Sequence, residues 1–188
     1  MKNNYIILCF AFLLTSCSIK GRFYGLYGYY KKAQSENPDL YKKVDETSKI
    51  TNFNNEIFKD KVIVTNGKMV RKNLGYNEYS VVYIWSPKCH SSICIPPDLV
   101  QSKCNLKNLE LYVVSEYYSN EEMSEKYNLA NNIIGVDTEY YKSSLTKKYL
   151  SRFLFDLTGK KEIDRQYLFF KKGIYQASYT TLEEIQLQ

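Results

Sequence analysis

Apolar positions along the chain fall into two spacings, and their order predicts the elements. YSVVYIW, residues 79–85, is a near-continuous β-branched and aromatic run, the pattern of a strand buried on both faces. LELYVVS (109–115) predicts a second buried strand and IIGV (133–136) a short third. Leu145, Tyr149 and Phe153, with Leu150, Leu154 and Leu157, recur at helical spacing and stop before Gly159, a C′ glycine. Pro96-Pro97 opens a short helix to about Lys103, and Ser119-Asn120-Glu121-Glu122 is a capping box opening another to about Leu129.

Weaker signals fill the flanks. Asn37-Pro38-Asp39 predicts a helix start running to about Ser48. KVIVTNGKMVRKNL predicts a hairpin about Asn66-Gly67. QYLFF and IYQASY flank Lys171-Lys172-Gly173 as a closing hairpin, and Thr181 to Glu184 is a capping box starting a terminal helix. Strands alternating with helices give an α/β domain, its central mixed β-sheet flanked by helices, parallel in the middle and antiparallel at the closing edge.

The amino terminus changes the picture of where this domain works. Lys2, an apolar run from Tyr5 to Leu14, and small residues ahead of Cys17 have the layout of a secretory signal, too short for a permanent membrane span. Leu14-Thr15-Ser16-Cys17 resembles the lipobox of bacterial lipoproteins. That resemblance implies removal of residues 1–16, a lipid on Cys17, and a membrane partner through it. Ser18, not acidic, implies sorting to the outer membrane facing the periplasm. Residues 17–36, with Gly21, Gly25 and Gly28, read as a lipidated tether, and residues 37–188 as the domain, with its core at about 55–188.

Charge and composition remove whole classes. The net charge of +6 is scattered as Lys pairs such as Lys147-Lys148 and Lys160-Lys161, a solvated surface with no basic and aromatic stripe for nucleic acid. The 19 Tyr are expected mostly at half-buried strand and helix positions. No Gly-rich phosphate loop supports a nucleotide, and no cofactor is expected.

Chemistry concentrates between the strand ending at Trp85 and the Pro97 helix. Cys89 and Cys94 flank His90, the one histidine of the chain. With Cys17 committed to lipid, an envelope domain keeps Cys89, Cys94 and Cys104, an odd number, so at least one thiol is free or pairs outside. A Cys89 placed where a strand hands over to a helix sees unpaired amide N–H groups and the positive dipole end, both of which lower a thiol pKa. Cys94 pairs with Cys89 only if the segment before Pro96 is irregular, because a disulfide needs Cα atoms about 4.4–6.8 Å apart. Cys94 and Cys104 are separated by about 15 Å along a continuous helix, so Cys104 is expected as a buried free thiol. Cys89, His90 and Cys94 offer soft metal ligands, but no second His completes a set, and no metal is expected.

From about residue 55 onward the chain resembles a thioredoxin-like fold, in particular the membrane-anchored thiol-disulfide oxidoreductases of bacterial envelopes. Trp85, Ser86, Pro87, Lys88 and Cys89 occupy the places of the family's strand end and reactive Cys, and Pro97 that of its helix-kinking Pro. The resemblance implies a reactive Cys89 and protein thiols or disulfides as partners; from the residues themselves, Cys94 is the candidate resolving thiol and His90, with Lys88, a neighbour that would help lower the Cys89 pKa if it points inward. Two departures stand out: the family's second motif Cys is Ser92, and its cis-Pro before the penultimate strand is missing from EIDRQYLFF, where Asp164 or Arg165 sits. They favour a second reading, a redox-inactive module that binds a partner protein or an envelope component.

Overall fold

The computed structural model describes residues 30–48, 53, 56–89, 91 and 94–187. The signal, Cys17, residues 17–29 of the expected tether and His90 lie outside the described residues. Seven strands form one mixed sheet. In chain order the elements are α1 (Tyr30–Glu36), β1 (Tyr41–Lys43), β2 (Val62–Thr65), α2 (Gly67–Leu74), β3 (Tyr79–Trp85), α3 (Pro97–Leu106), β4 (Glu110–Ser115), α4 (Asn120–Met123), β5 (Ile134–Val136), α5 (Thr146–Thr158), β6 (Tyr167–Lys171) and β7 (Ile174–Tyr179). Short 3-10 turns cover Glu56–Phe58 and Leu182–Glu184.

The sheet order is β1-β2-β5-β4-β3-β6-β7, parallel from β1 through β3 and antiparallel from β3 through β7. Alternation across the pleat explains the continuous apolar run of β3. Val81, Tyr83 and Trp85 face one layer with Val100 and Cys104 of α3, while Val82 and Ile84 face the other with Leu74 of α2 and Phe153 of α5. Two hydrophobic layers therefore clamp one sheet. No helix among the described residues is long and apolar enough to cross a membrane.

The closing hairpin forms as its sequence predicts. Lys172 and Gly173 have φ of 48° and 72°, the two left-handed positions of a tight hairpin turn. Gly159 ends α5 in the left-handed conformation, its N–H donating to Phe155 O at 2.7 Å. The Thr181–Glu184 capping box is made, but only a 3-10 turn follows it.

Three local expectations are overturned. Asn37-Pro38 ends a helix instead of starting one: α1 precedes it, Asn37 N–H donates to Ala33 O at 3.0 Å, and residues 41–43 form a strand paired with β2. Pro is common just past a helix end as well as in a first turn, and burial of Tyr41 and Val44 selected the strand. Residues 30–36, expected in the tether, thus pack on the domain, with Tyr30 against Tyr41 and Tyr118 at ring distances of 6.2 and 5.8 Å. Asn120 links the same pieces, accepting from Tyr41 Oη at 2.6 Å and donating to Ala33 O at 3.3 Å.

The second correction is Asn66-Gly67, which starts α2 and not a hairpin. Asn66, extended at φ −102° and ψ 166°, accepts from Met69 N–H at 3.0 Å as an N-cap. Met69, Val70, Asn73 and Leu74 are buried at helical spacing, and that tertiary gain outweighs the local turn preference. Asn66→Ala is expected to cost about 1–2 kcal/mol in urea unfolding, because Asn66 is buried and its cap cannot be replaced by water. Third, α4 stops at Met123, short of Leu129, and the Ser119 hydroxyl bonds the Glu122 carboxylate without capping the backbone.

Candidate functional site: a disulfide beyond the central strand

β3 is flanked by β4 and β6, and it delivers the chain to the carboxyl end of the parallel strands, where open α/β sheets place their ligands. Trp85, the last residue of β3, is buried with its ring edge-on to Tyr127 at 5.5 Å. Its carbonyl accepts from Glu116 N–H at 2.8 Å, and the Ser86 hydroxyl bonds the Glu116 carboxylate. Pro87 is buried, and a turn closes as Cys89 N–H donates to Ser86 O at 3.1 Å.

Cys89 and Cys94 form a disulfide with Cα atoms 5.8 Å apart. Both cysteines are partly exposed. The exposed Ser91 places its hydroxyl 3.3 Å from each sulfur, so one O–H can donate to either. Reduction would leave that donor beside whichever sulfur carries charge, a stabilisation of thiolate independent of any helix.

The loop is held at both ends. Lys88 N–H donates to Tyr117 Oη at 2.9 Å, and Tyr83 Oη donates to Ile95 O at 2.9 Å. The Lys88 ammonium lies 3.7 and 3.6 Å from Glu121 and Glu122, so its charge is shared with carboxylates.

Cys89 does not sit at a helix N-terminus. α3 begins at Pro97, eight residues later, with Pro97 in its first turn, so that Pro starts the helix and does not kink it. Cys89 is therefore not among the first residues of α3, whose free amide groups belong to its own first turn from Pro97 onward. Two consecutive prolines decide this: Pro96, extended at ψ 143°, cannot continue a helix back toward Cys94.

Cys104 is the free, fully buried thiol expected, and burial pushes its pKa up to about 12. Among the described residues no group of three His, Cys, Asp or Glu side chains could hold a metal ion. A second polar cluster is architectural: buried Asp137 accepts from Lys43 at 2.8 Å, and Glu139 takes Lys31 at 3.3 Å, tying α1 and β1 to the end of β5.

Ser91, Glu116, Tyr83 and Tyr117 are site residues that sequence reasoning missed. Ser91 was visible as the residue between the cysteines. The tyrosines carry no local signal, because each reaches the loop from a sheet strand or strand end. The chain matches no family model, no curated protein and no solved structure.

Proposed function

We propose that this is a lipid-anchored envelope protein with a thioredoxin-like domain, a divergent thiol-disulfide oxidoreductase whose nucleophile is Cys89. One observation carries the reading: a partly exposed Cys89–Cys94 disulfide just beyond the carboxyl end of the central strand. The parallel β3, the crossover through α3 and the antiparallel β6-β7 hairpin support the fold assignment. The anchor rests on Leu14-Thr15-Ser16-Cys17.

In the reduced form the Cys89 thiolate attacks a protein disulfide, breaking that S–S bond and making a mixed disulfide while the departing substrate sulfur takes a proton. Cys94 then attacks Cys89 Sγ, the second substrate sulfur leaves, and the domain ends oxidised as the substrate ends reduced. The Ser91 hydroxyl stabilises charge on the attacking sulfur. His90, next to Cys89 in the sequence, is assigned a share in favouring the Cys89 thiolate.

A redox-inactive binding module is the second reading. Ser92 in the family's second Cys position, the absence of Pro in Asp164-Arg165-Gln166, and the distance of Cys89 from the α3 terminus favour it. The two separate by thiol alkylation against pH on the full chain, with labelled sites read by mass spectrometry. The redox reading expects a Cys89 pKa below that of a model thiol, near 8.5. It also expects Cys89→Ser to reduce exchange with a protein disulfide to the uncatalysed rate, and Cys94→Ser to accumulate the mixed disulfide. Equal, model-like rates for Cys89 and Cys94, with both variants behaving as wild type, would assign the domain to binding.

A further inference from the structure

We infer that Tyr83 and Tyr117 are positioning residues for the cysteine pair, acting as two clamps that set how readily Cys89 and Cys94 join. The inference rests on the redox reading and adds to it the residues that tune the same site. Lys88, held by Tyr117 Oη, is the residue before Cys89, and Ile95, held by Tyr83 Oη, is the residue after Cys94. The disulfide therefore lies between two hydrogen bonds that grip its immediate flanks.

Both clamps come from rigid structure. Tyr83 lies within β3, is 1% exposed, and stacks on Tyr167 with centroids 5.0 Å apart. Tyr117 lies two residues beyond β4, in a turn fixed by Ser115 Oγ donating to Tyr117 O at 2.6 Å. β3 and β4 are paired in parallel through Trp85 and Ser115, so one anchor lies in, and the other just beyond, two neighbouring strands. Between them, the backbone bonds among the described residues are Cys89 N–H to Ser86 O and Cys94 N–H to Ser91 O.

Fixing both ends reduces the conformations open to the dithiol, and that raises the effective concentration of one sulfur toward the other. The coupling is reciprocal: a formed disulfide orders the loop for the clamps as much as the clamps order it for the disulfide. The reaction read is one dithiol plus oxidised glutathione going to the Cys89–Cys94 disulfide plus two reduced glutathiones, balanced in electrons and protons.

The test measures that equilibrium in glutathione buffers on the full chain for wild type, Tyr83→Phe, Tyr117→Phe and the double variant. Each single variant is expected to lower the constant for oxidation about five-fold, a potential less negative by about 20 mV, from the loss of one hydrogen bond. The double variant should reach about 25-fold, because the clamps hold different ends. Tyr112→Phe is the control. It removes an equivalent bond, from Asn77 Nδ2 at 2.9 Å, on the opposite face of the sheet, and should leave the constant unchanged. A merely structural role would lower thermal stability in all three tyrosine variants without moving the constant.

Wild-type oxidation with both clamp variants within two-fold of it, or with Tyr112→Phe shifted equally, would overturn the clamps and spare the redox reading. A wild-type pair that stays reduced in oxidised glutathione would overturn both. Should Tyr83→Phe fail to fold, Tyr117→Phe alone decides.

Discussion

At about pH 11 the domain is expected to unfold cooperatively, with tyrosinate absorbance rising in the same step as far-UV circular dichroism is lost. Tyr41, Tyr83, Tyr112, Tyr118, Tyr141, Tyr149 and Tyr167 are all buried, and burial raises the pKa of each, Tyr83 and Tyr112 to about 12. A raised folded pKa contributes stability that is complete below the unfolded value, near 10, and is lost as pH climbs toward the folded value. One unit above that unfolded value, each phenol forfeits on the order of 1 kcal/mol. Seven together approach 10 kcal/mol in order of magnitude, comparable with the whole stability of a domain of this size. Cys104 opens the same window earlier, since an unfolded thiol ionises from about 8.5. Cys104→Ala should therefore flatten the decline between about pH 8.5 and 10 and leave the tyrosine step in place. A gradual, non-cooperative ionisation of all the tyrosines near pH 10 would contradict the burial on which this rests.

Gly67→Ala is the second large effect, and its sign is informative. Helix propensity alone favours Ala by up to about 1 kcal/mol. A methyl at residue 67, however, would overlap the carbonyl oxygen of Phe153 and lie 2.9 Å from Leu157 N and 3.0 Å from Asp156 Cβ. The obstacles are mostly backbone, so α2 and α5 would have to separate, opening the layer that contains Phe153 and Leu157, both fully buried. Overpacking of that kind costs about 1–3 kcal/mol and more where backbone must move. The expected net loss is about 3 kcal/mol or more in urea unfolding, and a stabilised variant would show that the two helices are less closely seated.

The same contrast explains what could be read from residues alone. β3, β4 and α5 were legible because their burial patterns repeat over enough residues to exclude other elements, as in the doubly buried YSVVYIW. The β6-β7 turn was legible because Lys172-Gly173 demands positive φ. β1 was not, since three residues carry no period and its register comes from β2. Asn66-Gly67 satisfied two local grammars, and only the packing of α2 on α5 chooses between them. At the site, the pairing of Cys94 with Cys89 was legible only as a condition, an irregular approach to Pro96, which the fold meets. The start of α3 at Pro97 and not at Cys89 was set by two consecutive prolines, and the tyrosine contacts depended on strands that meet only in the folded sheet.

The position of β3 between β4 and β6 also sets an order of events during synthesis. Its β4 neighbour follows within about thirty residues, but its other edge waits for residues 167–171, so Tyr79 finds its partner Lys171 only 92 residues further along the chain. Closing so long a loop is slow compared with local structure formation. The two cysteines just beyond β3 are five residues apart and need none of that delay to meet. In an oxidising compartment the covalent link can therefore precede the sheet, and β3 is completed around a loop already tied.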